Sequence, residues 1–288
     1  MINPFQIVVL AVIQGLAELL PVSSSAHVIV AAKLMGLDPA SPEMTLLLVM
    51  LHSGTMFAVV VYFWAAWRRT FFLSRDAFRR IAPLLVYSTL LTGLVGYPIK
   101  LGIEKIALRN VANAEIEMIF GNLTLVAAAL AAAGCLIIYA GLRRSSPGEG
   151  KEEIGWREAG WMGAIQGLCL PFRGFSRSGA TISTGLILGA AKSRSEEYSF
   201  ALAVILTPPV VAREVKRVLE SRHDVAVVGG SAWHLFGFSM LGLVLSFLAG
   251  LLALRWLSRW LEHGRWHFFG VYCLAASLGV LVLRYRGF

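Results

Sequence analysis

The sequence predicts an all-α polytopic membrane protein, and three observations support that class. Of the 288 residues, 57% are hydrophobic and only 15% are charged, whereas a soluble domain carries about 25% charged residues. Several apolar segments reach the roughly 20 residues that a helix needs to cross a bilayer. The sequence does not show the evenly alternating segments of a transmembrane β-barrel.

Charge and cysteine content exclude other classes. The net charge of +9 comes mostly from Lys and Arg in short loops between apolar segments, where membrane orientation and anionic headgroups explain them. We therefore expect no nucleic-acid partner. The three cysteines lie in apolar segments without metal-ligand spacing. Residues 1–20 lack the basic start and the cleavage site of a signal peptide, so we expect none.

The first element is an interrupted apolar segment. Residues 5–20 are apolar, Pro21 ends the run, a polar tip follows at 22–27, and a second apolar run covers 28–37. Neither run is long enough to cross a bilayer alone. A broken pair with a polar tip predicts a re-entrant helix hairpin, which is tolerated where protein or a cavity satisfies the freed backbone groups.

The next elements are three continuous spans. Apolar runs predict transmembrane helices at about 44–66, 81–103 and 117–141. An arginine-rich loop at 68–80 separates the first two spans. The polar loop 142–159, which contains a Pro-Gly turn, follows the third.

Residues 160–191 repeat the interrupted pattern. An apolar half ends at Pro171, a polar tip follows, and a second apolar half begins near Gly179. Further spans are predicted at about 197–212, 235–258 and 267–284. The sequence therefore predicts a single membrane domain over 1–288, with six transmembrane helices plus two re-entrant helix hairpins.

The two halves are related in sequence. Gln14-Gly15-Leu16 and Gln166-Gly167-Leu168 align without a gap and place Ser24 opposite Ser176. The repeat halves are approximately 1–141 and 160–288. This relation predicts that the two hairpins are equivalent elements of one architecture.

Loop charge predicts that the repeat is inverted. Four loops assigned to the cytoplasm hold 14 of the 26 Lys and Arg; they are 68–80, 142–159, 192–196 and 255–266. Segment 213–224, with four basic residues, partly opposes this bias. With this assignment both termini lie outside and the hairpins enter from opposite faces. Such inverted repeats place their site near the midplane, where broken helices meet.

The first tip offers an acid, hydroxyls and a histidine. Gln14 and Glu18 are four residues apart and share a helix face. The Glu18 carboxylate can hold a hard divalent cation with help from a substrate phosphate, or it can pair with Arg177 or a helix end. His27 lies three residues after Ser24, so it can activate that hydroxyl or shuttle a proton. The alternative is a structural histidine.

The second tip has the composition of an oxyanion cradle. Arg177 presents a planar fork of donors that suits phosphate oxygens, and Gly and Ser allow close backbone approach. A helix that begins near Ser178 would direct its N-terminal amides to the same place. The alternative is a buried arginine that caps helix carbonyls. His52 lies within a span with no polar cluster beside it in sequence, so we interpret it as a packing or cavity residue.

Together the tips predict phosphoryl hydrolysis, because positioning and charge neutralisation carry most of that catalysis. Burial at membrane depth predicts a lipid-linked substrate. Ser24 Oγ and the Arg177 guanidinium are expected within roughly 10 Å of each other, in a cavity that opens sideways to lipid. The alternative function is a polyprenyl-phosphate transporter or flippase, in which the arginine binds a lipid phosphate without cleaving it. A structural scaffold would leave the polar tips unexplained.

At these residues the chain resembles the undecaprenyl-diphosphate phosphatase family, the BacA/UppP bacitracin-resistance type. The family's first motif has a Glu or Gln, a Glu four residues later, then Pro-Val-Ser-Ser and a His. The matching residues are Gln14, Glu18, Pro21, Val22, Ser23, Ser24 and His27. The second motif, Pro-Gly-x-Ser-Arg-Ser-x-x-Thr, is matched by Gly174, Ser176, Arg177, Ser178 and Thr181.

The resemblance implies removal of the terminal phosphate from a C55 isoprenyl diphosphate, which recycles the carrier lipid of cell-wall synthesis. It also implies dependence on Mg²⁺ or Ca²⁺, a homodimer, a place in the bacterial inner membrane and a site that opens to the periplasm. By position, Glu18 would bind metal or orient substrate, Ser24 would be the nucleophile and His27 its base or acid. Arg177 would hold the diphosphate; Gln14, Ser23, Gly174, Ser176, Ser178 and Thr181 would assist.

The chain departs from the family pattern at two positions. Arg173 replaces the motif proline, and Pro171 lies two residues earlier, so Arg173 is a candidate second phosphate ligand that should face the cavity. Gln14 stands where many members have Glu. An amide binds a cation more weakly than a carboxylate does, which affects the expected metal dependence.

Overall fold

The computed structural model describes residues 2–37, 42–107, 122–143, 150–220 and 232–287. Within these ranges the regular structure is helical, apart from one isolated bridge that pairs Lys151 with Ala190. The helices are α1 Pro4–Leu19, α2 Ser24–Leu34, α3 Pro42–Thr70, α4 Arg75–Gly102, α5 Leu123–Arg143, α6 Trp156–Cys169, α7 Arg177–Ile187, α8 Lys192–Glu220, α9 Ala232–Glu262 and α10 Trp266–Tyr285. The all-α prediction is confirmed.

Both interrupted segments form pairs of short helices. α1 is closed at its start by a capping box between Asn3 and Gln6. Pro21 lies past the end of α1, since its ring cannot continue a helix. The second helix of each pair begins earlier than predicted. α2 begins at Ser24, so His27 lies in its first turn, and α7 begins at Arg177 rather than Ser178.

Among the described residues, five helical segments are long and apolar enough to cross a membrane: Met44–Thr70, Arg75–Ile106, Leu123–Arg143, Ser239–Glu262 and Trp266–Tyr285. The chain is therefore a multi-pass membrane protein. Six spans were predicted, and the one at 197–212 lies in α8, which is not among these five. Charged residues stand at both ends of α8, and Pro208 and Pro209 lie inside it, which leaves a short apolar centre.

Helix packing brings the beginning and the end of the chain together. α1 packs on α9, α6 on α4, α5 on α10 and α3 on both α8 and α9. The paired glycines of the two halves make similar close approaches. A Cβ atom on Gly15 would lie 2.7 Å from the Ser246 carbonyl oxygen of α9, and one on Gly167 would lie 2.5 Å from the Thr92 carbonyl oxygen of α4. Both hairpins are thus held tightly by a long helix.

The two hairpin tips touch each other. The Ser178 hydroxyl donates to the Leu20 carbonyl oxygen at 3.4 Å, and a Cβ atom on Gly179 would lie 3.1 Å from Pro21 Cβ. The Cys273 thiol of α10 donates to the Pro21 carbonyl oxygen at 3.2 Å. These contacts join the first turn of α7 and the middle of α10 to the first tip, which sets the geometry of the site.

Candidate active site

The carboxylate of Glu18 is the centre of the polar cluster. Its Oε1 atom accepts a hydrogen bond from Arg177 Nη2 at 2.9 Å, across 159 positions of sequence. Its Oε2 atom accepts from Gln14 Nε2 at 3.2 Å and from the Ser24 hydroxyl in a short contact. The structure therefore brings Gln14, Glu18, Ser24 and Arg177 together from both hairpins.

This arrangement places a hydroxyl and a guanidinium on the same carboxylate. The side chains of Glu18 and Arg177 are 17% and 21% exposed, so both groups are screened from bulk solvent but not sealed. A carboxylate that accepts from a hydroxyl can act as its base, and a guanidinium beside it can neutralise an arriving phosphate. The Glu18–Arg177 ion pair left open in the sequence analysis is present, and it coexists with the Ser24 contact.

The two ring nitrogens of His27 have hydrogen-bond partners other than the Ser24 hydroxyl. Its Nδ1 atom lies 2.8 Å from the Ser23 carbonyl oxygen and its Nε2 atom lies 2.7 Å from the Tyr272 hydroxyl. A carbonyl oxygen can only accept, so Nδ1 carries the proton and Nε2 accepts from the tyrosine. The ring also stacks on Tyr272, with centroids 5.7 Å apart. The group that contacts the Ser24 hydroxyl is Glu18, which makes Glu18 a second candidate base, and the role of His27 as base or acid stays a prediction.

The backbone of the first tip is strained and lacks a side-chain cap. Ser23 has φ of +66°, a region that side chains other than glycine rarely adopt. It precedes α2 without capping the helix through its side chain, and its hydroxyl instead lies 3.4 Å from that of Ser25. The N-terminal amides of α2 are thus free of a serine cap at the place where an anion would benefit from them.

The second tip is closed by its own hydroxyls. Ser176 Oγ accepts from the Gly179 amide at 3.2 Å and caps α7. Thr181 donates to the Arg177 carbonyl oxygen at 2.8 Å and lies 2.5 Å from the Ser199 hydroxyl. Ser176, Ser178 and Thr181 are all buried. Because their hydroxyls bond to protein atoms, they support the loop that carries Arg177, and their direct role in substrate binding stays a prediction.

Arg173 and Gly174 lie in the turn just before Ser176, the residue that caps α7. Gly174 has φ of +106°, and a Cβ atom there would collide with the Val126 carbonyl oxygen of α5. The tip is therefore pressed against α5 in a conformation that requires glycine. Arg173 lies in the same turn and is partly buried, and its role as a second phosphate ligand stays a prediction.

His52, which the sequence analysis interpreted as a packing or cavity residue, lies beside the polar cluster in the structure. Its Nε2 atom lies 3.8 Å from Glu18 Oε2, and its Nδ1 atom lies 2.7 Å from the Leu48 carbonyl oxygen. The partner is 34 positions away on another helix, so no local pattern announces it. One general signal was present, because an ionisable residue inside a span is a functional-site candidate by default. Tyr272, which bonds His27, was missed for the same reason.

An apolar cavity of about 490 Å³ is lined in part by Val22 and His27 of the first tip. It lies between α1, α9 and α10, and its wall is rich in aromatic residues, namely Trp256, Trp260, Phe268, Phe269 and Tyr272. α9 packs on α1 and α3 whereas α10 packs on α5, so the cavity lies where the two helices have different neighbours. Trp256, Phe268 and Tyr272 are each more than 40% exposed, so the wall of the cavity reaches the protein surface.

The fold and the site define a class of protein. It is a polytopic helical membrane protein whose two interrupted hairpins meet at a carboxylate, a hydroxyl and a guanidinium, beside an apolar cavity. The chain belongs to the BacA family, because the family model described as bacitracin resistance protein BacA matches residues 7–279.

Similar proteins cover almost the whole chain. Undecaprenyl-diphosphatase 2 of Acinetobacter baylyi is 55% identical over 279 residues, which is 96% of each chain. Undecaprenyl-diphosphatase of Rhodopirellula baltica is 31% identical over 282 residues, 98% of each chain. Undecaprenyl-diphosphatase 2 of Burkholderia orbicola is 32% identical over 284 residues, 94% of each chain.

Proposed function

We propose that this protein is an integral-membrane phosphatase that hydrolyses undecaprenyl diphosphate to undecaprenyl phosphate and inorganic phosphate. The reaction recycles the carrier lipid for peptidoglycan synthesis and confers bacitracin resistance. The full-length similarity to undecaprenyl-diphosphatases supports the substrate. The observation that carries the chemistry is the convergence of Ser24 and Arg177 on Glu18.

The chemical step uses these three groups. Arg177 turns from Glu18 to the terminal phosphate as the substrate binds, and Glu18 takes the proton of the Ser24 hydroxyl. Ser24 Oγ attacks the terminal phosphorus, and the bond from phosphorus to the bridging oxygen breaks. The electron pair leaves with undecaprenyl phosphate, and water then hydrolyses the phosphoserine. Alternatively, Glu18 activates a water that attacks directly, which yields the same products.

A divalent cation, Mg²⁺ or Ca²⁺, is part of the proposal. Among the described residues no group of three or more His, Cys, Asp or Glu is arranged to hold a metal. Mg²⁺ commonly uses one or two carboxylates together with substrate phosphates and water. Glu18 with the amide oxygen of Gln14 fits that mode, and the bound cation would neutralise diphosphate charge.

The membrane arrangement is the second part of the proposal. α8 supplies the sixth span, the two hairpins are re-entrant, and the halves 1–141 and 160–288 form an inverted repeat. Pairing of α1 with α9 and of α6 with α4 supports the repeat, since each hairpin packs on the long helix of the other half. The protein lies in the bacterial inner membrane as a homodimer, with both termini and the site towards the periplasm. A reporter fusion that places Phe288 in the cytoplasm would contradict this topology.

The apolar cavity supports a lipid substrate. A polyprenyl tail cannot leave the bilayer without exposing a large apolar surface to water. The cavity is lined in part by His27, and its aromatic wall is exposed at the protein surface, which supports an opening towards lipid. A diphosphate at Glu18 and Arg177 can therefore keep its tail in apolar surroundings.

The alternative function is a polyprenyl-phosphate transporter or flippase, which needs the arginine but not the activated hydroxyl. Phosphate release from a polyprenyl diphosphate by the purified protein, with and without a chelator, separates the two. We expect release that falls when the chelator is added. Lipid translocation with no phosphate release would contradict the phosphatase and favour the alternative.

A further inference from the structure

His52 is the third side chain that approaches the Glu18 carboxylate from a separate helix. It comes from α3, whereas Glu18 lies on α1 and Arg177 on α7. Its Nε2 atom stands 3.8 Å from Oε2, the same oxygen that accepts from Ser24. This distance is longer than a hydrogen bond and is that of an ion pair, which forms with the imidazolium, because a carboxylate oxygen is attracted by an Nε2–H and not by a ring lone pair.

The direction of the His52 ring is fixed from its other side. Leu48 O can only accept, so Nδ1 carries a proton and donates to it at 2.7 Å. That bond turns Nε2 away from the axis of α3 and towards α1. The ring therefore has one edge on its own helix and one edge on Glu18.

The helix turn that carries His52 is itself fastened. The Thr55 hydroxyl donates to the His52 carbonyl oxygen at 2.9 Å. The Ser246 hydroxyl of α9 donates to the Leu51 carbonyl oxygen at 2.7 Å. Thr55 and Ser246 are both buried. Because the backbone on each side of His52 is tied to a fixed neighbour, the ring position is set by the fold rather than by the loop tips.

We propose that His52 is a positioning residue that holds Glu18 Oε2 against the Ser24 hydroxyl. The inference rests on the proposed function and adds a residue to its site. When Arg177 turns to the substrate, Glu18 loses its strongest partner. His52 and Gln14 then keep the Glu18 carboxylate oriented towards Ser24. Glu18 can therefore accept the proton of the Ser24 hydroxyl without first changing its rotamer.

A packing histidine would behave differently, and the chain contains a matched example. His263 lies 2.6 Å from the carbonyl oxygen of Arg259, four residues earlier, at the exposed end of α9. It repeats the local geometry of His52 far from the site. If the bond to the preceding turn were the whole role of His52, the two positions would respond alike.

Two isosteric substitutions of His52 test the contacts of its two ring nitrogens separately. In His52→Gln the amide nitrogen takes the place of Nε2 and can still reach Glu18. In His52→Asn the amide nitrogen takes the place of Nδ1, so the bond to Leu48 is kept and the reach to Glu18 is lost. The experiment measures steady-state phosphate release from a polyprenyl diphosphate, together with the melting temperature in detergent, for these variants, His52→Leu and His263→Leu.

We expect His52→Asn and His52→Leu to lower kcat by about 10- to 100-fold, as losses of orienting residues do, with KM changed less than about threefold. His52→Gln should recover most of kcat, and His263→Leu should match the wild type. If His52→Asn is active and His52→Gln is not, the local bond matters and the positioning role is overturned. Equal activity of all His52 variants overturns it as well. An inactive wild type would overturn the proposed function itself, which distinguishes the two failures.

Discussion

The two hairpin tips share a sequence pattern but differ in how their polar groups are used. At the first tip Ser23 is strained, α2 has no serine cap, and Ser24 reaches Glu18. At the second tip Ser176 caps α7, and the hydroxyl of Thr181 is turned into the protein. Arg177 is the side chain that leaves the second tip and crosses to the first. The proposed function therefore assigns the reaction to the first tip and the holding of the phosphate to the second.

The difference has a physical cause. A capped helix start with buried hydroxyls has few alternative states, so it can aim a long arginine side chain with little loss of entropy. An uncapped start keeps its amides available for an anion, at the cost of strain near Ser23. Such strain persists only where surrounding contacts hold it. Here Ser178 and Cys273 bond the backbone of the first tip at Leu20 and Pro21.

The largest effect on activity is expected from removal of the carboxylate at the first tip. We expect Glu18→Ala to lower kcat by about 10²- to 10⁴-fold, the range of a lost general base, and to leave Arg177 without its carboxylate. The measurement is phosphate release from a polyprenyl diphosphate. Glu153→Gln is the control, because Glu153 is 80% exposed and pairs with Arg80 at 3.6 Å. Near-wild-type turnover of Glu18→Ala would mean that the first tip is not the reactive one.

The second test removes the holding group. Arg177→Ala should lower kcat/KM by about 100-fold or more, since lost contacts to transition-state charge cost roughly 3 kcal/mol. Arg177→Lys should restore little, because a lysine lacks the planar fork. Arg80→Ala, at a side chain that is 69% exposed, should retain activity. The clamp role would be excluded if Arg177→Ala hydrolysed the substrate normally while folded in detergent.

A smaller effect is expected at His27, which joins the first tip to the apolar cavity. His27→Ala should lower kcat by about 10-fold or more, because it removes the hydrogen bonds to the Ser23 carbonyl oxygen and to Tyr272, worth about 1 kcal/mol each. Tyr272→Phe removes one hydrogen bond, worth about 1 kcal/mol, so it should cost about fivefold. If Tyr272→Phe leaves kcat unchanged while His27→Ala lowers it, the bond between the two side chains is not needed. If both variants bind and hydrolyse the substrate as the wild type does, His27 is a structural residue.

The smallest effects concern the stability of the tips. Ser176→Ala should lower the free energy of unfolding by about 1 kcal/mol through loss of the cap. Ser23→Gly should raise it by a few tenths to 1 kcal/mol, because glycine adopts φ of +66° without strain. Melting temperatures in one detergent compare the two variants. If Ser176→Ala stabilises the protein, or Ser23→Gly strongly destabilises it, the second tip is not stabilised by its cap or the first tip is not strained at Ser23.

The class of protein and the positions of its two interruptions could be predicted from the amino-acid sequence alone. Apolar length and low charge are properties of the chain, and they predict spans without knowledge of neighbours. Prolines at 21 and 171 end helices through their own covalent geometry. The spacing of Gln14 and Glu18 predicted a shared helix face, and their side chains are bonded at 3.2 Å.

The contacts between side chains of different helices could be seen only in the tertiary structure. Glu18 is held by Arg177 across 159 positions, and His27 is bonded to Tyr272 across 245. His52 reaches Glu18 because α3 packs on α1, and the Ser24 hydroxyl donates to Glu18 on the preceding helix. Spacing along the chain limits which residues can share a helix turn. Contacts between helices depend on crossing geometry and close approach, which local sequence does not encode.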